Sequence, residues 1–94
     1  TESNALSVKL ELQADCYAGV WGYYAQKDVL FEDGDIEEAY VAAEAVGDDT
    51  LQQRAQGYTV PHTYTHGTSS ERKKWLQRGL QTGDINQCNT FGAQ

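Results

Sequence analysis

The first quarter of the chain carries apolar side chains at the spacing of an amphipathic helix. They recur at steps of three or four residues from Leu6 to Tyr24. Because such steps return to one face of a helix with each turn, they predict a long N-terminal helix. Ser3 or Asn4 can accept a hydrogen bond from the first free amides and so cap its start. The recurring residues are Leu6, Leu10, Ala14, Tyr17, Trp21 and Tyr24.

Capping signals predict shorter helices in the rest of the chain. An Asp or Thr followed three residues later by Glu, as at Asp35 with Glu38 and at Thr68 with Glu71, is the signature of a capping box. A similar pattern starts at Asp49, and glycine, a common helix stop, follows each segment. The predicted helices cover residues 35–46, 49–56 and 68–81, and a short turn covers 84–87.

Residues 57–67 interrupt the helical pattern. Pro61 blocks a helix, and the β-branched and aromatic residues around it favour extended structure, so we expect an ordered loop. No internal repeat or linker divides residues 1–94, which predicts a single unit. The sequence therefore predicts an all-α fold in which a long N-terminal helix packs with three or four shorter helices and one ordered loop at about 57–67.

Composition and charge narrow the possible functions. The 94 residues carry a net charge of −7, which argues against a nucleic-acid partner because phosphate binding requires a basic face. The longest apolar stretch falls well short of the ~20 residues that a membrane span needs, so we expect a soluble piece. Residues 1–50 hold twelve acids and two bases, whereas residues 51–94 hold two acids and five bases. We expect the basic residues to contact the acidic helices. Most of these basic residues lie on the predicted helix 68–81: Arg72, Lys73, Lys74 and Arg78.

Two carboxylates stand one turn apart in the predicted first helix. Glu11 and Asp15 share a face, where like charges repel unless a cation, a metal or a buried histidine lies nearby. Ala14, Ala18 and Gly22 follow at steps of four on the same side, and such small residues allow another helix to approach closely. The residues alone leave two interpretations open, an acidic surface stripe beside a helix contact or part of a functional site.

The two histidines, His62 and His66, lie four residues apart. A zinc-protease helix would carry Glu directly after the first histidine, but Thr63 stands there, and Pro61 makes a helix across the pair unfavourable. A metal site formed by His62, His66 and an acidic residue is one hypothesis. The other is that His66, just before a predicted helix start, is a polar loop residue bonded to backbone.

The two cysteines, Cys16 and Cys88, match no metal-binding spacing. They form either a disulfide or two buried free thiols. A bridge would tie the end of the chain to the first helix, and the chain-entropy model assigns about 4 kcal/mol to closing so long a loop.

Several spaced motifs together resemble the C-terminal half of the bacterial putative neutral zinc metallopeptidases. The resemblance covers about Leu10 to Phe91, and the combination of motifs is more specific than any one of them. The motifs lie at residues 10–21, 34–39, 47–49, 65–67, 75, 79, 83–84 and 88–91. The resemblance implies that Glu11 is the third zinc ligand and that Asp15 orients a zinc-bound imidazole. It also implies that His66 contacts the substrate or the transition state.

That family carries a His-Glu-x-x-His motif upstream of the matching region, and no such motif occurs in these 94 residues. The chain also begins at Thr1 and contains no Met. We therefore expect a C-terminal fragment of a metallopeptidase domain, completed by a missing N-terminal half that bears two zinc ligands and the general base. Zinc and a peptide substrate belong to the full-length protein, and the fragment alone is expected to bind no zinc and to be inactive.

A different class of function fits the same residues. In this alternative the chain is a non-catalytic helical protein-interaction domain whose tight helix face binds a partner helix. An apolar helix face left open by the missing half would also support homo-oligomers. The resemblance further implies an extracytoplasmic or membrane-anchored parent protein, a setting in which a disulfide would persist.

Overall fold

Four helices form most of the described chain. The computed structural model describes residues 1–28 and 31–92. Helix α1 spans Glu2–Lys27, α2 spans Asp35–Ala45, α3 spans Asp48–Gln56 and α4 spans Ser69–Thr82. Two 3-10 turns cover Pro61–Thr63 and Ile85–Cys88, and no β-strand occurs in these described ranges. The predicted all-α fold with a long N-terminal helix is confirmed.

Helix α1 begins earlier than its apolar spacing predicts. Thr1 caps it, because the Thr1 Oγ1 accepts the Asn4 backbone N–H at 3.0 Å. The prediction that Ser3 or Asn4 would be the cap is wrong, since both lie inside the helix. A threonine one turn ahead satisfies the free amides as well, and the polar residues behind it continue the helix.

The caps of α2 and α3 also differ from the sequence prediction. Glycines occupy both N-cap positions, without a side-chain hydrogen bond to the helix. The Asp35 carboxylate accepts the Glu32 backbone N–H at 2.8 Å, and the Asp49 carboxylate accepts the Ser69 backbone N–H at 2.8 Å. These two carboxylates therefore join neighbouring segments instead of capping their own helices.

Helix α4 starts and ends as the sequence predicts. The Glu71 N–H donates to Thr68 Oγ1 at 3.1 Å and the Thr68 N–H donates to the Glu71 carboxylate at 3.1 Å, which is the reciprocal pair of a capping box. Gly83 ends the helix with a φ of 59°, in the left-handed region that favours glycine. The segment before α4 is an ordered loop with one 3-10 turn, as expected.

The core lies where α1 crosses α4. The two helices meet backbone to backbone, because a Cβ on Gly79 would collide with the Cys16 carbonyl oxygen and one on Gly19 would collide with the Leu76 carbonyl oxygen. This close crossing brings the larger apolar residues on either side of it into contact. The buried apolar side chains among the described residues are Leu12, Cys16, Val20, Ala25, Trp75, Leu80 and Cys88.

A disulfide joins the end of the described chain to the middle of α1. Cys16 and Cys88 have a Cα–Cα distance of 5.4 Å, and both side chains are fully buried. Of the two alternatives that the sequence leaves open, the disulfide is the one observed. It holds the second 3-10 turn against the α1–α4 core.

The apolar spacing that reveals α1 in the sequence belongs to a face that points away from this core. Of the predicted line of small residues, Ala14 and Ala18 are exposed too, whereas Gly22 is buried against the Leu80 side chain. The closest backbone approach falls on Gly19, outside that line. Helix α1 therefore has two apolar faces, of which α4 covers one. We name the exposed face the α1 stripe, whose large residues are 47–63% exposed: Leu6, Leu10, Tyr17, Trp21 and Tyr24.

Ion pairs join the basic helix α4 to the acidic helices, as the charge asymmetry predicts. Arg72 pairs with Asp15 on α1 at 2.8 Å, and Lys73 pairs with Glu44 on α2 at 3.3 Å. Arg78 instead lies over the indole ring of its own helix, 5.1 Å from the ring centroid. The first of these pairs stands beside the candidate site.

Candidate functional site

Three segments that are distant in sequence meet beside the middle of α1. Helix α1 contributes Glu11, the start of α3 contributes Asp48, and the loop before α4 contributes His66. His66 Nε2 lies 3.9 Å from Glu11 Oε1, and His66 Nδ1 lies 3.6 Å from Asp48 Oδ1. The structure therefore brings together two residues that the resemblance assigns to a site, Glu11 and His66, and adds a third side chain.

Asp48 holds the loop that carries His66. Its side chain is buried, and its Oδ2 accepts the backbone N–H groups of Thr65, His66 and Gly67 at 2.9, 2.7 and 2.8 Å. The Asp48 N–H in turn donates to the Gly67 carbonyl at 2.9 Å. Three donors and the N-terminus of α3 stabilise a buried carboxylate that would otherwise be costly. The loop backbone is thereby fixed relative to α3.

One ring nitrogen of His66 contacts the neighbouring Thr65, and the other faces Glu11. Its Nδ1 lies 2.9 Å from Thr65 Oγ1, within hydrogen-bond distance. The distance of 3.9 Å from Nε2 to Glu11 is longer than a direct hydrogen bond, and the two side chains are 52% and 39% exposed. An accessible imidazole and carboxylate at this separation can bind a cation between them or exchange a proton through water.

Arg72 binds one carboxylate of the α1 pair and so reduces the repulsion between the two. Its Nε and one terminal nitrogen donate to the two carboxylate oxygens of Asp15 at 2.8 and 2.9 Å, a bidentate pair. The hydrogen bonds to Asp15 raise the pKa of Arg72 despite partial burial, and the charges of Glu11 and Asp48 act in the same direction. The cation that a same-face pair of acids requires is thus Arg72. The role of Asp15 toward an imidazole stays a prediction, because both of its oxygens bind Arg72.

A hydrogen bond between Asp49 and Ser69 joins the start of α3 to the start of α4. Asp49 Oδ1 accepts the Ser69 N–H at 2.8 Å, and the Ser69 and Thr50 hydroxyls lie 2.6 Å apart. Burial raises the pKa of Asp49, but hydrogen bonds from the Ser69 and Thr50 backbone and the Ser69 side chain outweigh it and lower that pKa below its ordinary value. A Cβ on Gly47 would collide with Ser69, so glycine is needed here. This contact presents Asp48 to the loop.

His62 belongs to no cluster of metal-ligating side chains in the part of the chain that the structure describes. It belongs to the 3-10 turn Pro61–Thr63, where its carbonyl accepts the Asn4 side-chain amide at 3.2 Å. Within residues 1–28 and 31–92, no group of three His, Cys, Asp or Glu side chains is placed to hold a metal ion. The hypothesis of a self-contained site from His62, His66 and an acid is therefore wrong. The role of Glu11 as a zinc ligand stays a prediction.

Sequence patterns identify Glu11, Asp15 and His66 as candidates but miss Asp48. Asp48 belongs to the 47–49 motif, in which a glycine precedes two acids at a helix start. That pattern is typical of an acid that caps its own helix. Only the folded chain shows this carboxylate reaching residues 65–67.

Comparison with known proteins gives one matching family and several long relatives. The family described as putative neutral zinc metallopeptidase matches residues 1–91. The uncharacterized protein YpfJ of Escherichia coli (strain K12) is 58% identical over 91 residues, which are 97% of this chain and 32% of the relative. The uncharacterized protein Rv2575 of Mycobacterium tuberculosis (strain ATCC 25618 / H37Rv) is 50% identical over 96 residues, with 92% and 33% covered. The chain thus spans about a third of the length of these curated relatives, and no solved structure matches it.

Proposed function

This chain belongs to the putative neutral zinc metallopeptidase family, and on that basis we propose that it forms one part of a zinc-dependent peptidase. In this proposal Glu11 is the third zinc ligand, and His66 contacts the substrate or the transition state. The remaining ligands and the general base belong to a His-Glu-x-x-His motif in an N-terminal half outside these 94 residues. The chain alone is then a C-terminal fragment without peptidase activity.

The position of Glu11 beside His66 is the observation that carries this proposal. Glu11 and His66 lie far apart in sequence, yet their side chains approach to 3.9 Å. Asp48 holds the loop on one side, and Arg72 holds Asp15 on the other. A merely solvated acidic face requires neither a buried carboxylate behind its loop nor a bidentate arginine beside it. The arrangement therefore supports a functional site over an acidic surface stripe.

Each side chain has a defined task in the proposed reaction. When bound, zinc supplies Lewis-acid catalysis to peptide hydrolysis. Glu11 offers an anionic ligand from a rigid helix, and Asp15, held by Arg72, lies one turn away, where it would orient a neighbouring imidazole. His66 Nε2 would donate a hydrogen bond to a peptide carbonyl oxygen as that oxygen gains negative charge, which lowers the barrier.

Zinc binding by the full-length protein tests the assignment of Glu11. Glu11→Gln removes the anionic ligand while keeping the side-chain shape. We expect the zinc affinity to fall by at least the roughly 10–100-fold that is typical of losing an outer-shell partner, with loss of peptidase activity. Competition with a chromophoric chelator measures the affinity.

Glu2→Gln is the matched control, because Glu2 is an exposed acid in the first turn of the same helix. This variant should bind zinc as the unsubstituted protein does. A Glu11→Gln protein that is folded and holds zinc equally tightly would contradict the ligand assignment.

We also propose an extracytoplasmic setting for the full-length protein, with any membrane anchor outside this chain. The buried disulfide between Cys16 and Cys88 supports this setting, because disulfides persist in oxidising compartments. Within residues 1–28 and 31–92, every helix is too short or too polar to span a bilayer. Cell fractionation tests the proposal, and recovery of the reduced protein from the cytosol would contradict it.

A non-catalytic helical interaction domain is the second candidate function. The exposed α1 stripe favours it, because large apolar faces are typical of protein-binding surfaces. Under this alternative a partner helix packs along Ala18, and Ala18→Leu abolishes partner binding. Added zinc would leave the stability unchanged, so zinc-dependent stabilisation of the full-length protein would exclude this candidate.

A further inference from the structure

Helix α1 carries an apolar face that is too large to be incidental. The α1 stripe extends over about 27 Å at the ~1.5 Å rise of an α-helix, and its side chains are 47–63% exposed. Single exposed apolar residues are ordinary, whereas a contiguous patch marks a surface that binds another segment. Helix α4 does not cover it, because α4 packs on the other face of α1 against Gly19.

Two small residues, Ala14 and Ala18, lie between the α1 stripe and Glu11 on the surface of the helix. Ala14 lies one turn from both Leu10 and Glu11, and Ala18 lies one turn from both Ala14 and Trp21. Both alanines are exposed. A helix seated on the stripe would therefore approach the α1 backbone closely at these positions, beside the Glu11 carboxylate.

The loop before α4 lies along α1 on the N-terminal side of Glu11. On the N-terminal side, Ser7 Oγ donates to the Thr65 carbonyl at 2.7 Å, and the Asn4 side chain donates to the His62 carbonyl. The loop of residues 62–67 therefore lies along that part of α1. On the C-terminal side of Glu11, the exposed Ala14 and Ala18 lead to the α1 stripe.

We propose that the α1 stripe is the docking face for an apolar helix of the same protein that lies outside these 94 residues. The matched relatives have the length for such an element, because this chain covers only 32% and 33% of them. A straight stripe on one helix fits the side-chain ridges of a second helix. The inference rests on the proposed function, in which the rest of the protein completes the site at Glu11.

A second copy of this chain is a weaker candidate for the same face. Each copy carries a net charge of −7, and twelve of its fourteen acids lie in residues 1–50, which include α1. Two such copies repel one another as their α1 helices approach. A helix of the same polypeptide does not bring two copies of the acidic α1 together, so this repulsion does not arise. Because it is tethered to the same chain, it also has a high effective concentration at the stripe.

Thermal unfolding of the full-length protein tests the docking face. Leu10→Lys combined with Tyr17→Lys places two charges on the stripe, where docking would bury them without partners. We expect the unfolding midpoint to fall by roughly 5–10 °C. The matched control, Val41→Lys with Leu51→Lys, changes two exposed apolar residues on α2 and α3 and should stay within about 1–2 °C of the original. In the 94-residue chain both double variants should match the unsubstituted chain.

Several results would overturn the proposal. One is an equal shift of the unfolding midpoint for the stripe and control variants of the full-length protein. Another is the finding that the gene for this protein encodes only these 94 residues. A third is a 94-residue chain that sediments as a dimer and becomes monomeric with the stripe substitutions, because the occupant would then be a second copy. If the double variant does not fold in full length, Leu10→Gln replaces it under the same criteria.

The docking face and the zinc assignment can fail separately. If Glu11→Gln leaves zinc binding unchanged while the stripe variant still lowers the midpoint, the docking face stands and the zinc assignment is wrong. If Glu11→Gln weakens zinc binding while the stripe variant behaves like its control, the zinc assignment stands and the docking face is wrong.

Discussion

Asp48 places a carboxylate in the interior of a strongly acidic molecule, and its surroundings explain why it is tolerated. Its side chain is about nine-tenths buried and accepts three backbone N–H groups of residues 65–67. Charge-assisted hydrogen bonds of this kind are stronger than those between neutral groups. Because the same three residues include His66, the direction of the imidazole toward Glu11 depends on Asp48.

Asp48→Ala should lower the free energy of unfolding by about 2–4 kcal/mol, because it leaves three loop N–H groups without their acceptor. Urea denaturation measures this change, and amide exchange should accelerate at residues 65–67 more than in α1. Asp33→Ala, at an exposed acid outside the helices, is the control and should leave both quantities unchanged. Unaltered exchange at residues 65–67 would contradict the role assigned to Asp48.

The candidate site was only partly predictable from residue spacing. Glu11 and Asp15 share a face because of helix geometry alone, so their pairing follows from the sequence. The partner of Asp15 is Arg72, which lies on another helix, and local patterns do not show which basic residue of α4 meets it. The reach of Asp48 to the loop depends likewise on how α3 and α4 meet.

At the scale of elements, local signals predict all four helices, with α1 extending beyond its predicted ends, but they do not show which face of α1 is buried. Capping and glycine signals are local, and they placed α4 to within about a residue. Helix α1 is apolar on two sides, and the apolar spacing seen in the sequence is that of the exposed stripe. The spacing alone therefore does not show which side faces the core. The choice between these faces rests on the contact of Gly19 with Gly79, which no local pattern contains.

Gly79→Ala tests that contact. Alanine raises helix propensity by about 1 kcal/mol, but its Cβ would collide with the Cys16 carbonyl oxygen, and backbone cannot move aside as a side chain can. We expect a net loss of about 1–3 kcal/mol in denaturant unfolding. Gly22→Ala is the comparison, because its Cβ would meet the Leu80 side chain, which can rotate, so its loss should be smaller. Equal stability of the Gly79→Ala variant and the original chain would contradict the close crossing.

The whole molecule is a thin slab with a small core. Its principal extents are 41 × 30 × 15 Å, so the helices spread mainly in two dimensions. A slab of this thickness buries few side chains, and the α1 stripe is left on its surface. A chain of 94 residues can bury only a modest core, but the thickness of the molecule depends on which helix faces meet. That information lies in long-range contacts, or in segments outside this chain.

The disulfide is therefore expected to supply a large share of the stability of the 94-residue chain. Cys16 and Cys88 are separated by 72 residues, and the chain-entropy model gives about 4 kcal/mol for such a loop, against total stabilities of roughly 5–15 kcal/mol for small domains. Reduction should lower the unfolding midpoint by roughly 15–30 °C in calorimetry, with alkylation and intact mass confirming the redox state. A Cys16→Ala, Cys88→Ala variant should already show the lower midpoint and should not respond to the reductant.

After reduction the end of the described chain keeps the hydrogen bond from Thr90 Oγ1 to the Lys9 carbonyl, which is too weak to replace the bridge. A reduced chain that melts within about 2 °C of the oxidised one would show that the α1–α4 core suffices without the disulfide.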